Sequence, residues 1–396
     1  MSSKPKYTKE ELWDIQTAAM RDPSQIVGSS DFVSAGIYKE SLEYSVDKSF
    51  IKLLSDLNIT LLVSREYEHL LMALNTKGDE LNQTFMNLPH PSGIAVNRKT
   101  KTVYVASTRN PNQIIELKPI RRKLQRTDNK CESKIENVLM PVRSKYYPGA
   151  YYFHDLAFIG EELYGNSVGQ NGIVKIDFNS AEHEKLVWWP ESVEKENGNP
   201  NKTSNFLQLN SIAAGSSIEN SYFSASSEKI LKQRPGDIDF PVDKTGVIFS
   251  GKTRQIVASG LTRPHSARHY KGKVWVDNSG YGEVGYIENG EFIPVKHLPG
   301  WTRGLCFCKN IMFVGISRIL PKFLHYAPGL KNYETECGIY AIDTDTNEII
   351  GSVKWPYGNQ VFGMEFISKS ITTGFLHYEA QPTTENEISD YYKYII

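Results

Sequence analysis

The chain of 396 residues is short of several things that would place it quickly. It has four cysteines, Cys131, Cys306, Cys308 and Cys337, too few and too irregular for a disulfide scaffold or a four-thiolate zinc site. Cys306 and Cys308 stand two apart in LCFCK, so a strand there puts both on one face as buried hydrophobes. No apolar run approaches the roughly 20 residues that a membrane-spanning helix needs. The opening MSSKPKYTKEELWDIQ lacks the apolar stretch of a secretory leader, so a cytoplasmic location is expected, and the sequons at Asn58, Asn82 and Asn201 then carry no glycan. Formal net charge is zero, which points away from nucleic acid or a membrane surface as partner. There is no nucleophile elbow, no phosphate-binding glycine loop and no dinucleotide fingerprint; GYGEVG misses the GxGxxG spacing.

What the chain does have is a repeat. Residues 261–286, LTRPHSARHYKGKVWVDNSGYGEVGY, run from a polar tip through a strand and a hairpin end to a second strand, a Gly-rich loop and a third strand. The tip recurs as LPHPSGIAV, YFHDLAFIG, LNSIAAG, RPHSARHY, WTRGLCFC and QVFGMEFI. Second strands follow (TVYVAS, ELYGNS, SYFSAS, KVWVDNS, IMFVGIS), then third and fourth ones, always in that order. Aromatics make up 11% of the chain, with 22 tyrosines, as suits a core between packed β-surfaces. The fold expected is all-β, a six-bladed β-propeller, with five units over residues 90–356 and a sixth assembled from both ends of the chain. Seven blades is the alternative, if FIKLLSDLN to FMNLP and the C-terminal strands form separate blades. Residues 1–30 form a helical extension opened by a capping box, Thr8 with Glu11, and residues 31–396 a single propeller domain closed by its N- and C-terminal strands. Residues 228–244 and 318–336 are too long for tight turns. Each joins a second strand to a third, so both emerge on the face of the tips and would wall the axial opening.

Propeller geometry makes neighbours of tips that are remote in sequence. His90, His154 and His265 would then face one axis, the arrangement that holds a catalytic divalent metal such as Zn, Fe or Mn. Arg303 suits a bidentate clamp on a carboxylate or phosphate, with Asn210, Ser266, Arg109 and Glu365 as further substrate-binding groups. Asp155 would orient an imidazole or act in catalysis; Asp277 and Tyr281, in the polar DNSGYG loop, are the candidate acid and base. An outer ring on the same face holds residues 65–67, Asn166, Gln170 and Arg318. His265 and His269 are four apart, but Ser266 replaces the glutamate of a zinc-binding HExxH and the context is strand. These residues lead to an enzyme of lyase, hydrolase or isomerase type acting on a small polar or anionic substrate. The alternative is a non-catalytic propeller that grips a peptide, a protein partner or a small ligand on the same face.

The motifs LTRPHSARHYKGKVWVDNSGYGEVGY, LPGWTRGLCF and ECGIYAID resemble an uncharacterised bacterial family known as a conserved domain of unknown function. The resemblance spans the chain after about residue 85 and takes in HPSG, FHDLAF, LNSIA, PHS and WTRG. It implies a propeller-like fold and brings no activity with it.

Overall fold

A computed structural model of the chain describes residues 8, 11, 39–109, 112–120, 123–124, 137–180, 184–331, 334–375 and 394–395. Alternating strands and turns fold into six antiparallel sheets, each with four strands running outward from an axis. Blade 2 is Pro91–Asn97, Thr102–Ser107, Gln113–Ile120 and Val138–Tyr146; blade 3 is Phe153–Ile159, Glu162–Ser167, Gly172–Lys175 and Leu186–Trp188. Blade 4 is Leu209–Ala213, Tyr222–Ala225, Gly246–Ser250 and Ile256–Leu261; blade 5 is Pro264–Tyr270, Lys273–Asn278, Glu283–Glu288 and Glu291–His297. Blade 6, Trp301–Cys308, Ile311–Ser317, Gly338–Asp343 and Ile349–Lys354, gains a fifth, outer strand from Ser45–Val46. Blade 1 is composite: Gly363–Ser368, from the end of the chain, pairs inside Ile59–Arg65, which leads out to Leu70–Lys77 and Glu80–Asn87. The six innermost strands touch in a closed circle, so that the edge each turns to the axis is enclosed by its neighbours.

The segment that a seventh blade would have used is a helix. KSFIKLLSDL forms Lys48–Leu57, with Phe50 and Leu54 four apart and fully buried. Phe50 meets the ring of Phe313 edge-on at 6.1 Å. Asn58, left-handed at φ 52°, ends the helix, and the carboxylate of Asp47 at its start accepts from the N–H and hydroxyl of Ser352. The apolar residues here repeat every three to four positions rather than every two, so the period decides for helix. Further upstream, Thr8 and Glu11 make the reciprocal capping-box bonds, Thr8 N to Glu11 Oε2 at 2.8 Å and Glu11 N to Thr8 Oγ1 at 3.1 Å. The rest of that extension lies outside the described residues.

Hydrophobic clusters fill the wedges between neighbouring blades. Cys306, Cys308 and Cys337 lie in the cluster shared by blades 6 and 1, buried and unbridged; Cys131 is outside the described residues. Backbones approach so closely at the axis that a Cβ on Gly93 would fall 2.4 Å from the Cα of Asp155 in the next blade. No helix among the described residues is long and apolar enough to cross a membrane.

Candidate functional site

Each inner strand of blades 2 to 6 begins with a shift in register against its neighbour: Pro91/Ile94, Phe153/Leu156, Leu209/Ser211, His265/Arg268 and Thr302/Leu305. A bulge at that point re-aims the first side chains of the strand towards the axis. In four blades the residue just before the strand is left-handed, with φ of 45° to 52°: His90, Tyr152, Gln208 and Arg263. The structural equivalents are therefore His90 with Tyr152, Gln208 and Arg263, and Ser92 with His154, Asn210 and His265. His90 is thus two positions out of step with His154 and His265, and the expected trio of equivalent imidazoles is corrected to a pair.

Much of the polarity at these tips is used between blades. The Ser64 hydroxyl donates to the Ser92 carbonyl at 2.5 Å, and Ser92 Oγ donates to the Phe153 carbonyl at 2.6 Å. Asp155 Oδ2 accepts from Ile212 N at 3.0 Å, and Ser211 Oγ accepts from Ala267 N at 2.7 Å. Ser266 Oγ accepts from Gly304 N at 2.7 Å, and Ser317 Oγ donates to the Val361 carbonyl at 2.9 Å. Every junction between neighbouring blades has at least one such bond.

Above this ring, on the face of the tips, lies a cavity of about 470 Å³. Both long loops reach it: Gly236 comes from one, and Arg318, Ile319, Leu320, Phe323 and Tyr326 from the other. They meet where the Tyr326 hydroxyl donates to the Gly236 carbonyl at 3.4 Å. Four guanidinium groups, Arg109, Arg263, Arg303 and Arg318, line the cavity against one carboxylate, Glu66. Arg109 Nε donates to Glu66 Oε1 at 2.9 Å. Arg263 donates to the Gln208 side-chain oxygen and the Pro235 carbonyl, and its guanidinium lies 4.0 Å from the Tyr326 ring centre. Arg318 donates to the Pro356 carbonyl at 2.5 Å. Arg303 differs from these three. It is 8% exposed, lies 3.3 Å over the ring of Phe362, and makes no side-chain hydrogen bond or ion pair with any of the described residues.

The electrostatics follow from burial beneath the loops. Burial pulls Arg303 and Arg263 down to about 10, which still leaves both charged at neutral pH. Burial, then the charge of Arg303, lowers His154 to about 3 and holds His265 well below its ordinary value. Both rings are therefore neutral. His265 Nδ1 lies 2.8 Å from the Arg263 carbonyl, which can only accept, so Nδ1 carries the proton. His154 Nδ1 lies 3.3 Å from Asn210 Oδ1, whose amide is oriented by Nδ2 bonds to Ser226 and the Pro264 carbonyl. The same tautomer results. Burial alone would raise the Glu66 carboxyl, but Arg109, His90 and Arg303 outweigh it and hold the group well below the usual range.

Of the residues expected at the site, Arg303, Arg109, His154 and His265 line the cavity. His90 does not. It is buried behind Glu66, with Nδ1 3.3 Å from Oε1 and its ring edge-on to His69 at 4.3 Å. Asp155 is occupied by Arg268, at 2.7 and 3.2 Å, and by backbone N–H groups, so it is a structural ion pair. Asn210 and Ser266 hold neighbouring blades, and Asn210 also orients His154. Glu365 pairs with Arg98 at 3.2 Å beside Phe366, beyond the cavity. Tyr281 bonds Asp243 at 3.0 Å and does not reach the cavity. Asp277 is fully buried outside it. Burial pushes its carboxyl well above the usual range, and Ser266, though near, lies outside hydrogen-bonding geometry.

A divalent metal does not fit this donor set. Among the described residues no group of three or more His, Cys, Asp or Glu side chains could hold one. Arg303 already places a fixed positive charge beside both imidazoles that do line the cavity. Sequence reasoning missed Arg263, Gln208, Trp301 and Tyr326. The first two stand immediately before an inner strand, where the left-handed turn swings them to the cavity.

No curated protein matches the chain. Among the solved structures that do match, one titled "Crystal structure of Nidogen/Laminin Complex" is 10% identical, with 78% of this chain and 98% of that chain covered and a TM-score of 0.49. The blade order rests on the strand pairing itself rather than on that likeness. The family match runs over residues 48–375, most of the propeller, and by it the chain belongs to the family described as Domain of unknown function (DUF4915).

Proposed function

We propose that the axial cavity binds a small organic anion, with Arg303 as its anchor. One observation carries the reading: a guanidinium more than nine-tenths buried, stacked on Phe362, has no acceptor among the described residues and opens onto a cavity. An unmade hydrogen bond to a buried charge is costly, and a carboxylate or phosphate supplies the missing acceptors two at a time. Arg109, Arg263 and Arg318 add positive potential around it, in a chain whose formal net charge is zero. The volume suits a ligand of metabolite size.

Turnover has less support than binding. Asp277 and Tyr281, the acid and base expected from sequence, do not line the cavity, and an imidazole at about 3 is a weak base at neutral pH. Calorimetric titration with cyclohexanecarboxylate and phenyl phosphate tests the reading. At least one should bind the unaltered protein, and Arg303→Met should weaken it by about 10- to 100-fold, the worth of a charge-assisted pair. Equal binding by a folded Arg303→Met protein, or no binding of either probe, would overturn it.

A further inference from the structure

Resting on that reading, we infer that the anion also bears hydroxyl groups, so that the ligand class is a hydroxylated carboxylate such as a sugar acid. The inference comes from acceptors rather than from the arginines. His154 and His265 both line the cavity, and each turns Nδ1–H to the protein, at the Asn210 side-chain oxygen and the Arg263 carbonyl. Nε2 of each ring is then an unprotonated nitrogen with no hydrogen-bond partner among the described residues.

A carboxylate alone leaves both imidazole nitrogens unsatisfied, since it is an acceptor itself. Burial, and then the charge of Arg303, keeps both imidazoles neutral in the ligand-free protein, so each Nε2 faces the cavity as an acceptor. The groups that complete this wall are donors without charge; an ammonium would meet four guanidinium groups. Hydroxyls meet that requirement, because each can donate to a ring nitrogen and still accept from an arginine. Trp301, 5.7 Å from the His265 ring, also lines the cavity and brings an aromatic ring of the kind against which the C–H face of a sugar packs.

The test compares carboxylates of one size that differ in hydroxyl content. Glucuronate, galacturonate and gluconate are titrated calorimetrically against cyclohexanecarboxylate, with glucose as the uncharged control. At least one of the three hydroxylated acids should bind about tenfold or more tightly than cyclohexanecarboxylate, and more tightly than glucose. His154→Phe and His265→Phe, where folded, should narrow the ratio between the best hydroxylated acid and cyclohexanecarboxylate to under about threefold. If cyclohexanecarboxylate binds as well as all three acids, the hydroxyl inference fails and the anion reading stands. If glucose matches the best acid, the anion reading fails instead. If no probe binds, the hydroxyl inference falls, and the anion reading falls with it unless phenyl phosphate binds. The comparison between ligands needs no variant, so a misfolded mutant does not shelter the proposal.

Discussion

Two tiers of polar side chains surround the same axis, most of them at the starts of inner strands, with Ser64 and Ser317 near the ends of second strands. The lower tier, Ser64, Ser92, Asp155, Ser211, Ser266 and Ser317, is satisfied: each side chain bonds the backbone of the next blade. The upper tier is incomplete. Arg303 has no acceptor, and the outward nitrogens of His154 and His265 have no donor, among the described residues. Buried polar groups in folded proteins are nearly always paired, so complete pairing marks a structural role and a gap beside a cavity marks a place for something else. Residue type alone does not separate the tiers, since both draw on the same strand starts.

The comparison can be broken most forcefully at Asp155. Asp155→Ala leaves Arg268 buried and unpaired, and should cost about 3–5 kcal/mol in urea unfolding, with Arg268→Ala similar and the double variant well short of their sum. A loss under about 1 kcal/mol would mean that the lower tier is not what holds the blades. The next effect is on acid stability. His154 is lowered from 6.5 to about 3 in the folded state, so between those values the unfolded chain takes up a proton that the folded one refuses. The contribution of His154 should therefore be fully present above pH 6.5 and fall as the pH drops towards 3, with His69 and His265 acting in the same direction and the raised carboxyls of Asp277 and Glu365 in the opposite one. His154→Phe should flatten that slope by about one proton, read from urea midpoints at a series of pH values. The smallest effect belongs to Arg303. Arg303→Met removes an unpaired desolvated charge but keeps a stack on Phe362, so ligand-free stability should stay within about 1 kcal/mol of the unaltered protein. A loss as large as that of Asp155→Ala would place Arg303 in the structural tier.

Much of the blade order was legible because tip, strand and turn recur in fixed sequence, and packing around an axis repeats the same requirement six times. Only the seven-blade alternative makes a strand of the helix Lys48–Leu57, because a short apolar run hides its period; Asp47 before it and Asn58 after it are the available signals. At the site, Arg303, Arg109, His154 and His265 were visible as polar residues at tips. His90 was misplaced because PHPSG and RPHSA look alike while their His residues fall two positions apart in register, which pairing fixes and spelling does not. The catalytic or orienting role expected of Asp155, and the substrate-binding role expected of Ser266, Asn210 and Glu365, come from not seeing their partners, Arg268, Gly304, Pro264 and Arg98, each remote in sequence. Tyr326 comes from a loop whose path over the cavity is set by contacts with Gly236 and Phe323 rather than by local pattern.

The composite first blade has a temporal consequence. Ile59–Arg65 is made early, yet its inner partner Gly363–Ser368 follows about 300 residues later. At the roughly 5–20 residues per second of ribosomal synthesis, that edge waits on the order of tens of seconds for its mate. Until it arrives the circle stays open, Phe362 is not yet beneath Arg303, and the axial cavity of the nascent chain has no complete wall.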